Sequence, residues 1–120
     1  MFKVIIAGSR SFRDYGLLRA KVDIVLSRKV SMLEDIVILS GCCPGPDLMG
    51  EKYAREKGYL VETHPAQWDF YGRAAGPIRN AEMARNADAL IAFWNGRSPG
   101  TENMIAEAKK HGLQIRVFMI

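Results

Sequence analysis

The chain has 120 residues, of which 48% are hydrophobic and 25% are charged, as in an ordinary globular protein. That length suits one folded unit, so we predict a single domain over residues 1–120. No apolar run approaches the roughly 18 residues of a membrane span, and we expect a cytoplasmic protein with no membrane partner. The net charge of +4 suits an anionic ligand and also suits nucleic acid. Cys42 and Cys43 are adjacent, so we expect both thiols to be reduced.

Short apolar runs alternate along the chain with helical periodicities. The runs predict strands, in chain order, at residues 3–7, 36–39, 60–63, 89–94 and 114–118. The periodicities predict a helix capped by Asp14, a helix from Pro46 to Gly58, a helix over residues 77–86 and a helix from Thr101 to Gly112. This alternation favours a parallel α/β sheet with right-handed crossovers, in a Rossmann-like fold of three layers.

Three glycine-bearing loops, at residues 7–10, 40–47 and 95–101, each follow an apolar run. Such loops leave backbone N–H groups free at a helix N-terminus, where the helix dipole favours an anion, so they predict a site for a phosphorylated ligand. The loops meet at one edge in the strand order 3-2-1-4-5, whereas the order 2-1-3-4-5 separates the last loop from the first. We therefore favour the order 3-2-1-4-5. The dinucleotide fingerprint and the Walker pattern are absent, which argues against ordinary dehydrogenase and ATPase chemistry.

Residues 64–80 form the longest stretch without a clear period, and long ordered loops are usually functional. An aromatic residue of this stretch could stack on a purine. Alternatively, the aromatic side chains fill a small hydrophobic core beneath the loop. We favour this alternative for Trp68 and also apply it to Phe70. For Tyr71 the two alternatives stay open.

Five motifs resemble, in order and spacing, the small YspA-like domains of the SLOG superfamily. The motifs are Gly8-Ser9-Arg10-x-Phe12, Gly41-x-x-x-Gly45-x-Asp47, Pro65-Ala66-x-Trp68, the run from Tyr71 to Met83, and Ser98-x-Gly100-Thr101. The resemblance implies a Rossmann-like fold that binds nucleotides or nucleotide-derived signals. The superfamily includes the Lonely guy phosphoribohydrolases and single-strand-binding DNA-processing proteins, and its members often self-associate. A homo-oligomer is therefore a further expectation.

The sequence departs from the phosphoribohydrolases at two places. Arg79 is similar to their functional arginine, but Met104 stands where they have a glutamate, and Glu102 lies nearer the Gly-Thr turn. A family Gly-Gly-Ala becomes Gly41-Cys42-Cys43, and we expect the side chain of Cys42 to narrow the approach of a phosphate.

Two functions from different classes follow, and we favour a binding module without chemistry. Its predicted ligand residues are Gly8, Ser9, Arg10, Gly41, Gly45, Asp47, Tyr71, Arg79, Ser98, Gly100 and Thr101. The alternative is an N-glycosidic hydrolase of a nucleoside monophosphate, in which Arg79 holds the phosphate and Glu102 or Asp47 stabilises an oxocarbenium-like transition state. A weaker alternative is a binder of single-stranded nucleic acid. We predict no cofactor, and no Cys/His spacing indicates a metal.

Overall fold

A computed structural model describes residues 1–32 and 34–120 of the chain. In chain order, its elements are β1 (Phe2–Gly8), α1 (Tyr15–Ser31), β2 (Ile36–Ser40), α2 (Pro46–Lys57), β3 (Leu60–Thr63), α3 (Trp68–Tyr71), a 3₁₀ turn (Gly72–Ala74), α4 (Ala75–Arg85), β4 (Ala89–Trp94), α5 (Pro99–Lys110) and β5 (Gln114–Met119). Local signals explain several of these boundaries. Asp14 accepts a hydrogen bond from the Leu17 N–H group at the start of α1, and Gly58 ends α2 in the left-handed conformation.

The five strands form one parallel sheet in the order β3-β2-β1-β4-β5, which confirms the predicted fold class and strand order. The central strands β1, β2 and β4 are nearly all apolar and buried, as expected for strands covered by helices on both faces. Because all strands run the same way, the loops after β1, β2 and β4 lie at one edge of the sheet.

Alternate residues of each strand face two separate hydrophobic cores. Val4 and Ile6 of β1 pack with α1 and α2, whereas Ile5 and Ala7 pack with α4 and α5. The helices therefore form two layers with the sheet between them, in the Rossmann-like arrangement that the sequence predicts. Among the helices of the described residues, none combines the length and apolar character that crossing a bilayer requires.

The differences from the predicted elements are concentrated in residues 64–80. The helix predicted from Pro77 begins two residues earlier, at Ala75, and it follows the short helix α3 and the 3₁₀ turn. The last helix begins at Pro99 and not at Thr101, because proline is well suited to the first helical position. With these boundaries, α3 and the N-termini of α4 and α5 lie at the sheet edge where the glycine loops also lie.

Candidate functional site

The first and third glycine loops are joined through the buried side chain of Ser9. Its hydroxyl oxygen accepts hydrogen bonds from the Asn95 N–H group at 3.1 Å and from the Ser98 hydroxyl at 2.8 Å. The Asn95 side chain accepts in turn from the N–H groups of Arg97 and Ser98, both at 2.9 Å. The loops after β1 and β4 thus form one hydrogen-bonded unit.

Two glycines allow the first and second loops to approach each other closely. A Cβ on Gly8 would lie 2.8 Å from Cγ of Pro46, the first residue of α2. Gly45 has a φ of +89°, and a Cβ there would lie 3.0 Å from the carbonyl oxygen of Arg10. Any other residue at Gly45 would meet both a strained backbone and a neighbouring chain segment.

The second loop buries the Asp47 carboxyl group, whose residue is only 6% exposed. The Cys43 N–H group donates to Oδ2 of Asp47 at 3.2 Å. Burial raises the pKa of this carboxyl from 3.8 to about 6, although the Cys43 N–H group and the Arg79 and Arg10 cations oppose the rise. Asp47 is therefore a carboxyl that changes its charge close to neutral pH.

Arg79 extends from α4 to the second loop. Its Nη1 donates to the carbonyl oxygen of Gly41, and its Nε donates to the Asn80 side chain at 2.9 Å. Nη2 of Arg10 lies 3.6 Å from Sγ of Cys43, and both terminal nitrogens of Arg79 lie 4.0 Å from the same sulfur. Two guanidinium groups thus lie within 4.0 Å of one thiol, beside the Asp47 carboxyl group.

Gly41 lies directly against the side chains of Arg79 and Asp47. A Cβ at Gly41 would lie 2.6 Å from Nη1 of Arg79 and 2.7 Å from Oδ2 of Asp47. The missing side chain is what allows both charged groups to pack against the loop backbone.

The N-terminus of α5 completes the site. The buried Asn80 side chain donates to the Gly100 carbonyl at 3.2 Å and to the Asn103 side chain at 2.9 Å, which fixes α4 against α5. The N–H groups of Gly100 and Thr101 lie in the first turn of α5, where a helix offers them no internal acceptor. A Cβ on Gly100 would have no neighbour within 4 Å, so the backbone there is open to a ligand.

These elements enclose a cavity of about 580 Å³. Of the predicted residues, those that line it are Gly8, Ser9, Arg10, Asp47, Arg79, Ser98, Gly100 and Thr101. Gly41, Gly45, Tyr71 and Glu102 are not part of the lining. Glu102 is exposed, whereas Met104 lies in the cavity wall, so the geometry gives no support to a catalytic role for Glu102. Within residues 1–32 and 34–120, no cluster of three or more His, Cys, Asp or Glu side chains is arranged to hold a metal.

Two expectations for the aromatic segment are wrong. Trp68 and Phe70 do not fill a small core, because Trp68 is 49% exposed and Phe70 is 78% exposed. Trp68 instead lines the cavity, together with Asn80 and Asn103, which the sequence did not mark as site residues. The available signals were the place of Trp68 in the Pro65-Ala66-x-Trp68 motif and in the long stretch without a clear period.

The expectation for Cys42 is also wrong, because its side chain is absent from the cavity lining and Cys43 is present there. Cys42 adopts a φ of +66°, and its Sγ lies 3.8 Å from the Ser40 carbonyl oxygen. Burial raises the pKa of the Cys42 thiol, which makes it less reactive. Glycine adopts such a positive φ more readily than cysteine does.

The sheet order and the loops that meet at its carboxyl edge define a Rossmann-like α/β domain with a cavity at that edge. The chain belongs to the YspA, cpYpsA-related SLOG family, whose match covers residues 2–71. It is 36% identical to the Gene 61 protein of Mycobacterium phage D29, over 96% of this chain and 94% of that protein.

A solved structure with the same fold is DNA processing protein A (DprA) from Streptococcus pneumoniae, with a TM-score of 0.71 and 19% sequence identity. The likeness covers 97% of this chain and 49% of the DprA chain, so this chain spans about half of that protein. At this identity the comparison supports the fold alone.

Proposed function

We propose that the protein binds a nucleotide or a nucleotide-derived phosphorylated ligand in the cavity. The observation that carries this proposal is the convergence of the loops after β1, β2 and β4 on one cavity that also contains Arg10 and Arg79. Membership of the SLOG family supports the same ligand class. The volume of about 580 Å³ lies within the range of about 300–1,000 Å³ that is usual for small-molecule sites.

The polar groups of the cavity match the chemical groups of such a ligand. The phosphate accepts hydrogen bonds from the N–H groups of Gly100 and Thr101, at the positive end of the α5 dipole. Arg79 supplies a charge and a planar donor set. Asp47 accepts a hydrogen bond from a ribose hydroxyl, which keeps its carboxylate away from the phosphate.

Isothermal titration with AMP, ADP-ribose, NAD and cyclic AMP tests the proposal. Charge-assisted hydrogen bonds contribute about 1.5–3 kcal/mol, so Arg79→Gln should weaken binding by about ten- to a hundredfold. Arg85→Gln is the matched control, because Arg85 is exposed at the far end of the same helix and is expected to leave the affinity unchanged. Absence of heat with every ligand at saturating concentration would refute the proposal.

A second candidate function is hydrolysis of the N-glycosidic bond of a nucleoside monophosphate. The observation that favours it is Asp47, a buried carboxyl group in the cavity wall whose pKa of about 6 leaves it ionised above that pH, where it can face a developing positive charge. In this scheme Arg79 holds the phosphate, and the ionised Asp47 stabilises the positive charge that develops on the ribose as the bond between C1′ and the base nitrogen breaks. Water then adds to C1′, and one proton of that water passes to the departing base.

Chromatographic detection of free adenine after incubation with AMP tests this second function. Asp47→Ala should abolish turnover, whereas Glu102→Ala should retain it, because Glu102 lies outside the cavity. Turnover that survives both substitutions together would show that no carboxylate of this pair takes part. Binding of AMP without any release of adenine would leave the binding module as the function.

A further inference from the structure

The cavity lining has a polar part and an apolar part. Ser9, Ser98 and Thr101, with the two arginines of the site, form the polar part. The apolar part comes from α3, α4 and α5 and consists of Trp68, Gly76, Pro77, Met83 and Met104. A sugar phosphate would use the polar part and would leave the apolar part in contact with water.

One edge of the Trp68 indole ring packs against Gly76, and about half of the residue is exposed to solvent. A Cβ on Gly76 would lie 3.3 Å from Cη2 and 3.9 Å from Cζ3 of this ring, so the glycine provides the space in which the ring edge is seated. In the part of the chain that the structure describes, no other aromatic ring is paired with Trp68.

The neighbouring aromatic residues do not share this position. Phe70 and Tyr71 pair with each other edge to face, with ring centroids 4.7 Å apart, and neither lines the cavity. Trp68 is therefore the aromatic side chain of this segment that a cavity-bound ligand can contact. A half-exposed indole ring in the wall of a ligand-sized cavity offers a flat apolar surface on which a planar base can stack.

We infer that the cavity recognises a nucleoside monophosphate whose base stacks on Trp68 while its phosphate occupies the polar part. The inference rests on the proposed function and deepens it, because Trp68 becomes the residue that distinguishes a nucleotide from a base-free sugar phosphate. Stacking on an aromatic side chain should make the affinity about five- to a hundredfold higher with the base than without it.

The experiment compares AMP with ribose 5-phosphate by isothermal titration on four forms of the full chain. The wild type should prefer AMP by about five- to a hundredfold. Trp68→Leu should lower the affinity for AMP to that for ribose 5-phosphate and should leave the affinity for ribose 5-phosphate unchanged. Trp68→Phe retains a ring and should keep a clear preference for AMP. Phe70→Leu is the control, since Phe70 lies outside the cavity, and should behave as the wild type.

Tryptophan fluorescence provides a second readout, which does not depend on Trp68→Leu. AMP should quench the emission, ribose 5-phosphate should quench it less, and the difference should vanish in Trp68→Phe, which retains Trp94 as the remaining emitter. This comparison decides the question even where Trp68→Leu fails to fold.

Two negative results are distinguishable. Equal affinities for AMP and ribose 5-phosphate in the wild type, with no specific quenching, would overturn the role of Trp68 and leave a phosphate-binding function intact. Failure of both ligands to bind would overturn the proposed function together with this inference.

Discussion

Replacement of Asp47 by asparagine tests the most unusual electrostatic feature of the site. Burial raises the pKa of this carboxyl from 3.8 to about 6 in the folded protein. The folded state therefore keeps the proton at pH values where the unfolded chain has released it, and stability falls as the pH rises through the window from about 4 to about 6. A shift of about two units corresponds to about 3 kcal/mol at about 1.36 kcal/mol per unit.

Asparagine keeps an oxygen that accepts from the Cys43 N–H group but carries no charge at any pH. The stability of Asp47→Asn relative to the wild type should therefore increase by roughly 2–3 kcal/mol between pH 4 and pH 7.5. Urea denaturation at a series of pH values measures this difference, and other titrating groups cancel in the comparison. A difference that does not change with pH, or a carboxyl carbon resonance of Asp47 that titrates near pH 4, would refute the reasoning.

Two further predictions concern glycine residues, and a third concerns the nucleic-acid alternative. Gly41→Ala should displace Arg79 and weaken AMP binding, measured by isothermal titration, at least about tenfold. Gly100→Ala should leave the free energy of unfolding unchanged or raise it by up to about 1 kcal/mol, because the added methyl group enters open space. Gly45→Ala should cost about 1–3 kcal/mol and more than Gly58→Ala, since both have positive φ but only Gly45 has a neighbour within 4 Å; thermal denaturation ranks them. A 20-mer of deoxythymidine should bind weakly at physiological salt; tight, steeply salt-dependent binding in a fluorescence anisotropy titration would favour the nucleic-acid alternative.

The fold could be predicted from the sequence because its determinants are local. Buried parallel strands are short apolar runs, and the helix limits are marked by Asp14, Pro46 and Gly58. The strand order followed from a functional argument, namely that three similar loops should meet, and the sheet has that order. Local sequence patterns, together with the assumption that the three glycine loops meet, were sufficient to predict the fold and the strand order.

The side chains of the site were harder to predict, because their exposure depends on contacts between distant segments. Hydrophobicity assigned Trp68 to a core, whereas the geometry of the short helix before Gly76 turns it toward the cavity. Glu102 is close in sequence to the Gly-Thr turn, which suggested a place in the site. Neighbouring residues of a helix point to different sides, however, and Met104 lines the cavity while Glu102 does not. The conformation of Cys42 has no local signal, since cysteine seldom adopts a positive φ.

The glycines of the loops have a different role from the one that their pattern suggests. A glycine-rich turn is usually interpreted as room for a phosphate beside the backbone. At Gly8, Gly41 and Gly45 the space of the absent Cβ is already taken by other parts of the protein, and of the loop glycines discussed, Gly100 alone has an open approach. Gly8, Gly41 and Gly45 therefore allow the loops to pack closely against neighbouring parts of the protein. Contact with an anion depends instead on the N-terminus of α5 and on the serine and arginine side chains of the cavity. Substitutions at the assembling glycines should consequently affect stability and binding together, whereas substitutions at Gly100 and Arg79 should separate the two properties.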